Sequence, residues 1–176
     1  MNLSRIIASL LCLAAVALVV AGCGGSSSSA GESTGSSAGA TTVSGAEVSG
    51  LGTVLVDSEG LTVYEFGKDT GTTSSCFGAC EQSWPPVIAT GKPTAGENAM
   101  ASALGTTKRK DGSLQVTYAG HPLYTFAGDT EPGEAAGNES EAFGGRWSAM
   151  DESGEAVAGT ATEPEETQGS SGGYGY

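Results

Sequence analysis

The chain has 176 residues, 20 acidic against 7 basic, and a formal net charge of −13. So negative a surface is repelled by nucleic-acid phosphates and anionic lipid headgroups, which sets nucleic-acid binding aside. Once its low-complexity ends are subtracted, the length leaves room for one small domain.

Arg5 precedes an apolar run from Ile6 to Val20 that only Ser9 interrupts. The run is short for a bilayer span and the right length for the core of a secretory signal. It ends in Val20-Ala21-Gly22-Cys23, which resembles the lipobox of bacterial lipoproteins: small residues that fit a peptidase groove, then a thiol available for thioether lipidation. This predicts a signal peptide over residues 1–22 and lipidation at Cys23. Each buried methylene adds about 0.8 kcal/mol, so several acyl chains would hold the protein on the outer leaflet of the bacterial cell membrane. Extracytoplasmic location and a membrane contact through lipid follow.

Residues 23–50 hold the lipidated cysteine and a Gly/Ser-rich stretch with almost no large apolar side chains. Such a segment cannot offset its ordering entropy and reads as a flexible tether of roughly 30 Å typical reach. Residues 51–150 carry the patterning of strands. "TVLVDSEGLTVYEF" alternates on both sides of Ser58-Glu59-Gly60 and predicts a hairpin. "KRKDGSLQVTYAGHPLYTF" places turns at Asp111-Gly112 and at 119–122. The one predicted helix covers Ala95 to Leu104, stopped by Gly105. Residues 151–176 turn acidic and then Gly/Ser-rich up to Tyr174 and Tyr176, which predicts a disordered tail.

Within the central region the chain repeats itself. Leu51-Gly52-Thr53 returns as Leu104-Gly105-Thr106. Tyr64-x-Phe66-x-x-Asp69 returns as Tyr124-x-Phe126-x-x-Asp129, and Trp84 and Trp147 follow at similar distances. Two copies are too few for a solenoid or propeller. The expected fold is mainly β: a small pseudo-two-fold domain, sandwich or barrel-like, of two tandem repeats over about 51–103 and 104–150, sharing one core. Residues two apart on a strand face the same way, so Tyr64 with Phe66, and Tyr124 with Phe126, point into that core, while Leu123 points away.

These features together resemble the bacterial secreted-repeat lipoproteins, which carry a repeated Tyr-x-(Phe/Trp/Tyr)-x-x-Asp motif. Both motif copies are present, with "CFGACEQSWPP" from Cys76 and "VTYAGHPLYTFAGDTEPGE" from Val116. The resemblance implies location and fold and no activity. The second copy lacks the cysteine pair, and Ser148 follows Trp147 where proline follows Trp84.

Cys76 and Cys80 remain as the only thiols once Cys23 is lipidated. Outside the cytoplasm a disulfide is the simplest reading, with a redox-active pair as its rival. A zinc site lacks ligands, because His121 is the only histidine. Asp69 and Asp129 follow strands, where a carboxylate commonly accepts turn amides. The alternative is a paired acid or cation site, with Asp129, Glu131, Glu134 and His121 as candidate ligands and Asn138 and Glu139 nearby; their spacing does not match an EF-hand. No nucleophile–base pair stands out, so no catalytic residue is assigned, no enzyme is expected, and no cofactor beyond a possible divalent cation. The ligand or protein partner stays unnamed. Two functions stay open: a lipid-tethered, non-enzymatic binding or structural module, and a metal-handling or redox-linked envelope protein.

Overall fold

Alternating apolar and polar residues build two antiparallel hairpins in a computed structural model that describes residues 41–162. The elements in chain order are β1 (Thr42–Val48), β2 (Gly52–Val56), β3 (Tyr64–Phe66), α1 (Ala79–Ser83), β4 (Thr94–Ala95), β5 (Leu104–Lys108), β6 (Leu114–Tyr118), β7 (His121–Pro122), β8 (Glu141–Ala142) and β9 (Gly145–Ala149). They form three-stranded sheets ordered β2-β1-β4, β3-β9-β8 and β5-β6-β7, none closed into a barrel.

The hairpins are equivalent. β1 pairs β2 from Val48↔Gly52 to Ser44↔Val56, and β5 pairs β6 from Lys108↔Leu114 to Leu104↔Tyr118. In the second, Asp111 accepts from the amide and hydroxyl of Ser113, and Gly112 supplies the positive φ the turn requires. The matching hydrogen bonds then fix the correspondence of the two repeats. Val63 N donates to Leu55 O as Leu123 N donates to Val116 O, both at 3.0 Å. Leu55 N reaches Met150 O as Val116 N reaches Val87 O, both at 2.8 Å. Each repeat therefore sends its final segment into the other. β9, from the second repeat, pairs with β3 of the first through Tyr64↔Ala149 and Phe66↔Trp147. The segment after Trp84 in the first repeat bridges Tyr124 of the second through Pro86. Prolines are tolerated there because Pro85 is used only as an acceptor, by Thr125 N, while the next donor is Val87 N. At the centre Tyr64 and Tyr124 exchange backbone bonds of 2.8 and 3.0 Å, so the pseudo-two-fold axis passes between them.

Several expectations are corrected by this arrangement. The Leu-Gly-Thr pair is not an equivalence: the first copy leads into β2, an inner position of its hairpin, and the second begins β5, whose counterpart is β1. The tether predicted up to residue 50 ends earlier, because β1 buries Val43 and Val48. The tail predicted from residue 151 is folded at least to residue 162: Val157 N bonds Ala149 O, and Thr162 N bonds Ser49 O. The helix predicted over Ala95 to Leu104 is a pair of turns leading into β5. The described helix is α1, a short turn that starts inside the loop closed by the cysteines and runs past Cys80 to Ser83. The hairpin around Ser58-Glu59-Gly60 stops after one bridge, Val56↔Thr62, because β3 leaves for β9. The single core is two clusters. One holds Tyr64, Phe66, Trp84, Tyr124 and Trp147; the other holds Val43, Leu55, Val63, Val116, Leu123 and Met150. Strand alternation produces them, since Val63 and Leu123 each turn away from the tyrosine that follows. The predicted signal peptide, Cys23 and residues 163–176 lie outside the described residues.

Candidate functional site

The repeated motif converges on one place. Crossing of the final segments brings Trp84 and Trp147 face to face, ring centroids 3.9 Å apart and 4° from parallel. Phe66 stacks on Trp147 at 4.0 Å, and Phe126 lies on the outer face of Trp84 at 4.5 Å, which makes a four-ring column. Tyr64 meets Trp84 edge-on, and Tyr124 meets Trp147 in the same way, at 5.3 and 5.1 Å. Both indoles and both phenols are buried, Phe66 almost completely; Phe126, on the rim, is half-buried. Each aromatic pair adds about 0.5–1.5 kcal/mol beyond area burial. Gly137 is required by this closeness, because a Cβ there would lie 2.7 Å from the Trp84 ring.

The aspartates are exchanged too. Tyr64 of the first motif donates its hydroxyl to Asp129 of the second, and Tyr124 donates to Asp69 at 2.7 Å. The other oxygen of Asp69 accepts from the amide and hydroxyl of Ser75, and that of Asp129 from Ala136 N at 2.9 Å. Each carboxylate thus ties its own turn and the opposite repeat's strand together. Burial and the adjoining carboxylates push both phenols well above the ordinary tyrosine range. The two sites are unequal: Asp129 is buried and Asp69 half-buried. Burial outweighs the Tyr64 and Ala136 hydrogen bonds and raises Asp129 above the usual carboxylate range.

A pH prediction follows from that sign. A carboxyl whose pKa is higher folded than unfolded binds its proton more tightly in the folded state. Its contribution therefore grows as pH falls through the folded value, and is complete below the unfolded one. Thermal melts between neutral pH and the ordinary carboxylate range should show wild type gaining stability relative to Asp129→Asn on acidification. A difference that shrinks instead would contradict the burial argument. Were a divalent cation to raise the melting temperature of wild type and not of Asp129→Asn, the pair would be a cation site and not a tie.

The remaining candidates are held separately. Glu134 accepts from the amides of Thr130 and Glu131 at 2.5 and 3.0 Å, and those bonds keep its carboxyl below the usual range. His121 Nδ1 lies 2.7 Å from Glu65, across the repeat boundary. Asn138 spans Val157 O, Gly159 O and Ala149 N, and Glu139 reaches toward Arg146. Among the described residues no cluster of three or more His, Cys, Asp or Glu side chains could hold a metal.

Cys76 and Cys80 are disulfide-bonded, with Cα atoms 5.2 Å apart, and both are buried. So short a loop gains about 2 kcal/mol in the chain-entropy model. The residue that sequence reasoning missed is beside them. Arg109, 4% exposed, donates to Ser74, Gln115, the Cys76 carbonyl and Glu81 at 2.7–3.1 Å. Phe77 lies under its guanidinium at 4.6 Å. It fastens the disulfide loop of the first repeat to the hairpin of the second. Its sequence context, Lys-Arg-Lys before a turn, carries no sign of burial.

A family model described as a secreted repeat of unknown function matches the chain twice, over residues 46–88 and 105–150. Each span runs from a hairpin to the segment that crosses into the other repeat. No curated protein and no solved structure matches the chain.

Proposed function

The chain belongs to the family of secreted repeats of unknown function, and from that footing we propose that it is a lipid-anchored, non-enzymatic binding or structural module displayed outside the cytoplasm. The observation that supports a scaffold role is the consumption of the motif by itself. Tyr64, Asp129, Tyr124 and Asp69 spend their polar groups on one another and on local turns. Their rings and the two tryptophans fill the core. A residue set buried in this way holds two halves together, leaving loops and strand edges to make contacts. The buried disulfide fits a staple better than an exchanging pair, since exchange needs an accessible sulfur.

The anchor rests on Val20-Ala21-Gly22-Cys23 behind an apolar run. Cys23→Ser should move the protein out of the membrane fraction or leave its leader uncleaved. Mass spectrometry of the wild-type protein should find a lipid-modified Cys23 at the mature N-terminus. An unmodified mature terminus elsewhere would refute the anchor.

A further inference from the structure

The hairpin of β5 and β6 has an outer edge that the rest of the described domain leaves open. Arg109 N bonds Ser113 O and Ala119 N bonds Ala103 O, so Arg109 and Ala103 face β6. By antiparallel alternation, the amides and carbonyls of Leu104, Thr106 and Lys108 point the other way. Among the described residues no strand pairs with them. The corresponding edge of β1 is covered: β4 runs parallel along it, Gly96 N donates to Val43 O, and Gly45 N donates to Glu97 O. Hairpin register puts Leu104 where Val43 stands and Thr106 where Gly45 stands. One half thus displays the kind of segment that suits the other: a short parallel strand with an apolar residue, Ala95, beside Val43 and a glutamate two residues later.

Beside the open edge lies a groove of about 280 Å³. Pro93, Ala101, Leu104 and Leu114 give it apolar walls, and Leu114 is an exposed leucine. Lys92 lines the groove as well, and no acidic residue does. Lys108 is exposed at the end of the same strand. Among the described residues neither lysine takes part in an ion pair. In a chain of 20 acidic and 7 basic residues, this edge is a local reversal of charge.

We propose that the outer edge of β5 binds an extended acidic peptide of another protein, added as a parallel strand in the register that β4 takes on β1; this rests on the reading of the chain as a binding module. An apolar residue of the peptide lies beside Leu104 and enters the groove that Leu104 lines. The next residue donates its N–H to Leu104 O. An aspartate or glutamate follows, accepts from Thr106 N at its carbonyl, and brings its carboxylate to Lys92 and Lys108. Main-chain bonds then supply affinity, and the alternate side chains supply specificity. The residue between the two can be of any size. On the first edge Gly96 has to be glycine, because a Cβ there would lie 2.1 Å from Ser44 Oγ, whereas Gly105 takes the place of Ser44 on the second. Lysines commonly guard a strand edge against self-pairing, and the same charge admits a strand of opposite sign. A second copy fits less well, since β5 offers no carboxylate to the lysines and each copy carries a formal net charge of −13.

Heteronuclear NMR titration of the full chain in detergent with the synthetic peptide acetyl-Thr-Val-Thr-Glu-Thr-amide tests this. The amide signals of Leu104, Thr106 and Lys108 should move, and exchange of the Thr106 N–H should slow at least roughly tenfold at saturation. Replacing the peptide's glutamate by lysine should weaken binding about tenfold, and Lys108→Glu should do the same to the original peptide. Thr106→Pro should abolish binding, because it removes an N–H that the hairpin does not use. If proline lowers the melting temperature, the Lys108→Glu result decides. No binding by the wild type overturns the proposal, and so does binding that Lys108→Glu leaves untouched. Protection of Thr106 before any peptide is added also overturns it, and assigns the edge to a second copy where that protection rises with protein concentration. A negative result strikes the edge alone, because the anchored module is decided by the fate of Cys23.

Discussion

Trp147→Ala is expected to remove a large share of the domain's stability. Trp147 stacks on Phe66 and Trp84 at once and meets the edge of Tyr124, so its removal cuts the column in the middle and opens a cavity on the pseudo-two-fold axis. Loss of a buried tryptophan costs about 3–5 kcal/mol, against a net stability of roughly 5–15 kcal/mol for a whole domain. Because Trp84 is its symmetry partner, Trp84→Ala should cost a similar amount. Phe126→Ala, on the half-buried rim, should cost less than Phe66→Ala, whose ring is 2% exposed. Urea unfolding followed by near-ultraviolet circular dichroism reads both stability and the coupling between the stacked indoles. A Trp147→Ala midpoint close to wild type would mean that the column fills space without holding the repeats together.

How much of this was legible beforehand depended on whether the signal was periodic or positional. The duplicated Tyr-x-Phe-x-x-Asp pattern was readable because a strand and its turn impose it directly, and both copies lie where alternation puts them. The exchange of tyrosine and aspartate between copies was not readable. It depends on β9 crossing to β3, and nothing in Gly145–Ala149 states which strand it will pair with. The Leu-Gly-Thr repeat misled for a related reason: three residues at a strand start recur by composition, and only hydrogen-bond register separates an inner strand from an outer one. β1 was hidden because "TVSGAEV" offers three small residues and a glutamate between its two valines, a weak strand in isolation that β2 and β4 complete. The predicted helix over Ala95 to Leu104 followed helix propensity, and the edge bonds of Gly96 and Glu97 to β1 overrode it. Cys76 and Cys80 were readable as a disulfide from compartment and count alone.

Arg109 offers the sharpest test of the internal symmetry, because the two halves solve the same packing problem with different chemistry. Hairpin register makes Val48 the counterpart of Arg109 and Val54 the counterpart of Gln115. The turns after the aspartates make Ala135 the counterpart of Ser74. One half is therefore apolar where the other holds a guanidinium shared among Ser74, Gln115, the Cys76 carbonyl and Glu81. Arg109→Val alone strands those acceptors in a dry site and should cost about 3 kcal/mol, since removing one partner of a buried charged network leaves the others unpaired. Glu81, 39% exposed on its side chain, can return to water and keeps the loss from being larger. Adding Gln115→Val and Ser74→Ala copies the apolar half. Leu123 O loses Gln115 as a donor but keeps Val87 N, and the Tyr124 hydroxyl keeps Asp69. The triple variant should therefore recover most of the loss and stand within about 1 kcal/mol of wild type, because a well-packed apolar replacement of a buried ionic network is often close to neutral. Chemical denaturation of the single and triple variants decides the matter. Losses that simply add from one substitution to three would mean that the two halves are alike in backbone only, and that Arg109 is held by features the apolar half does not possess.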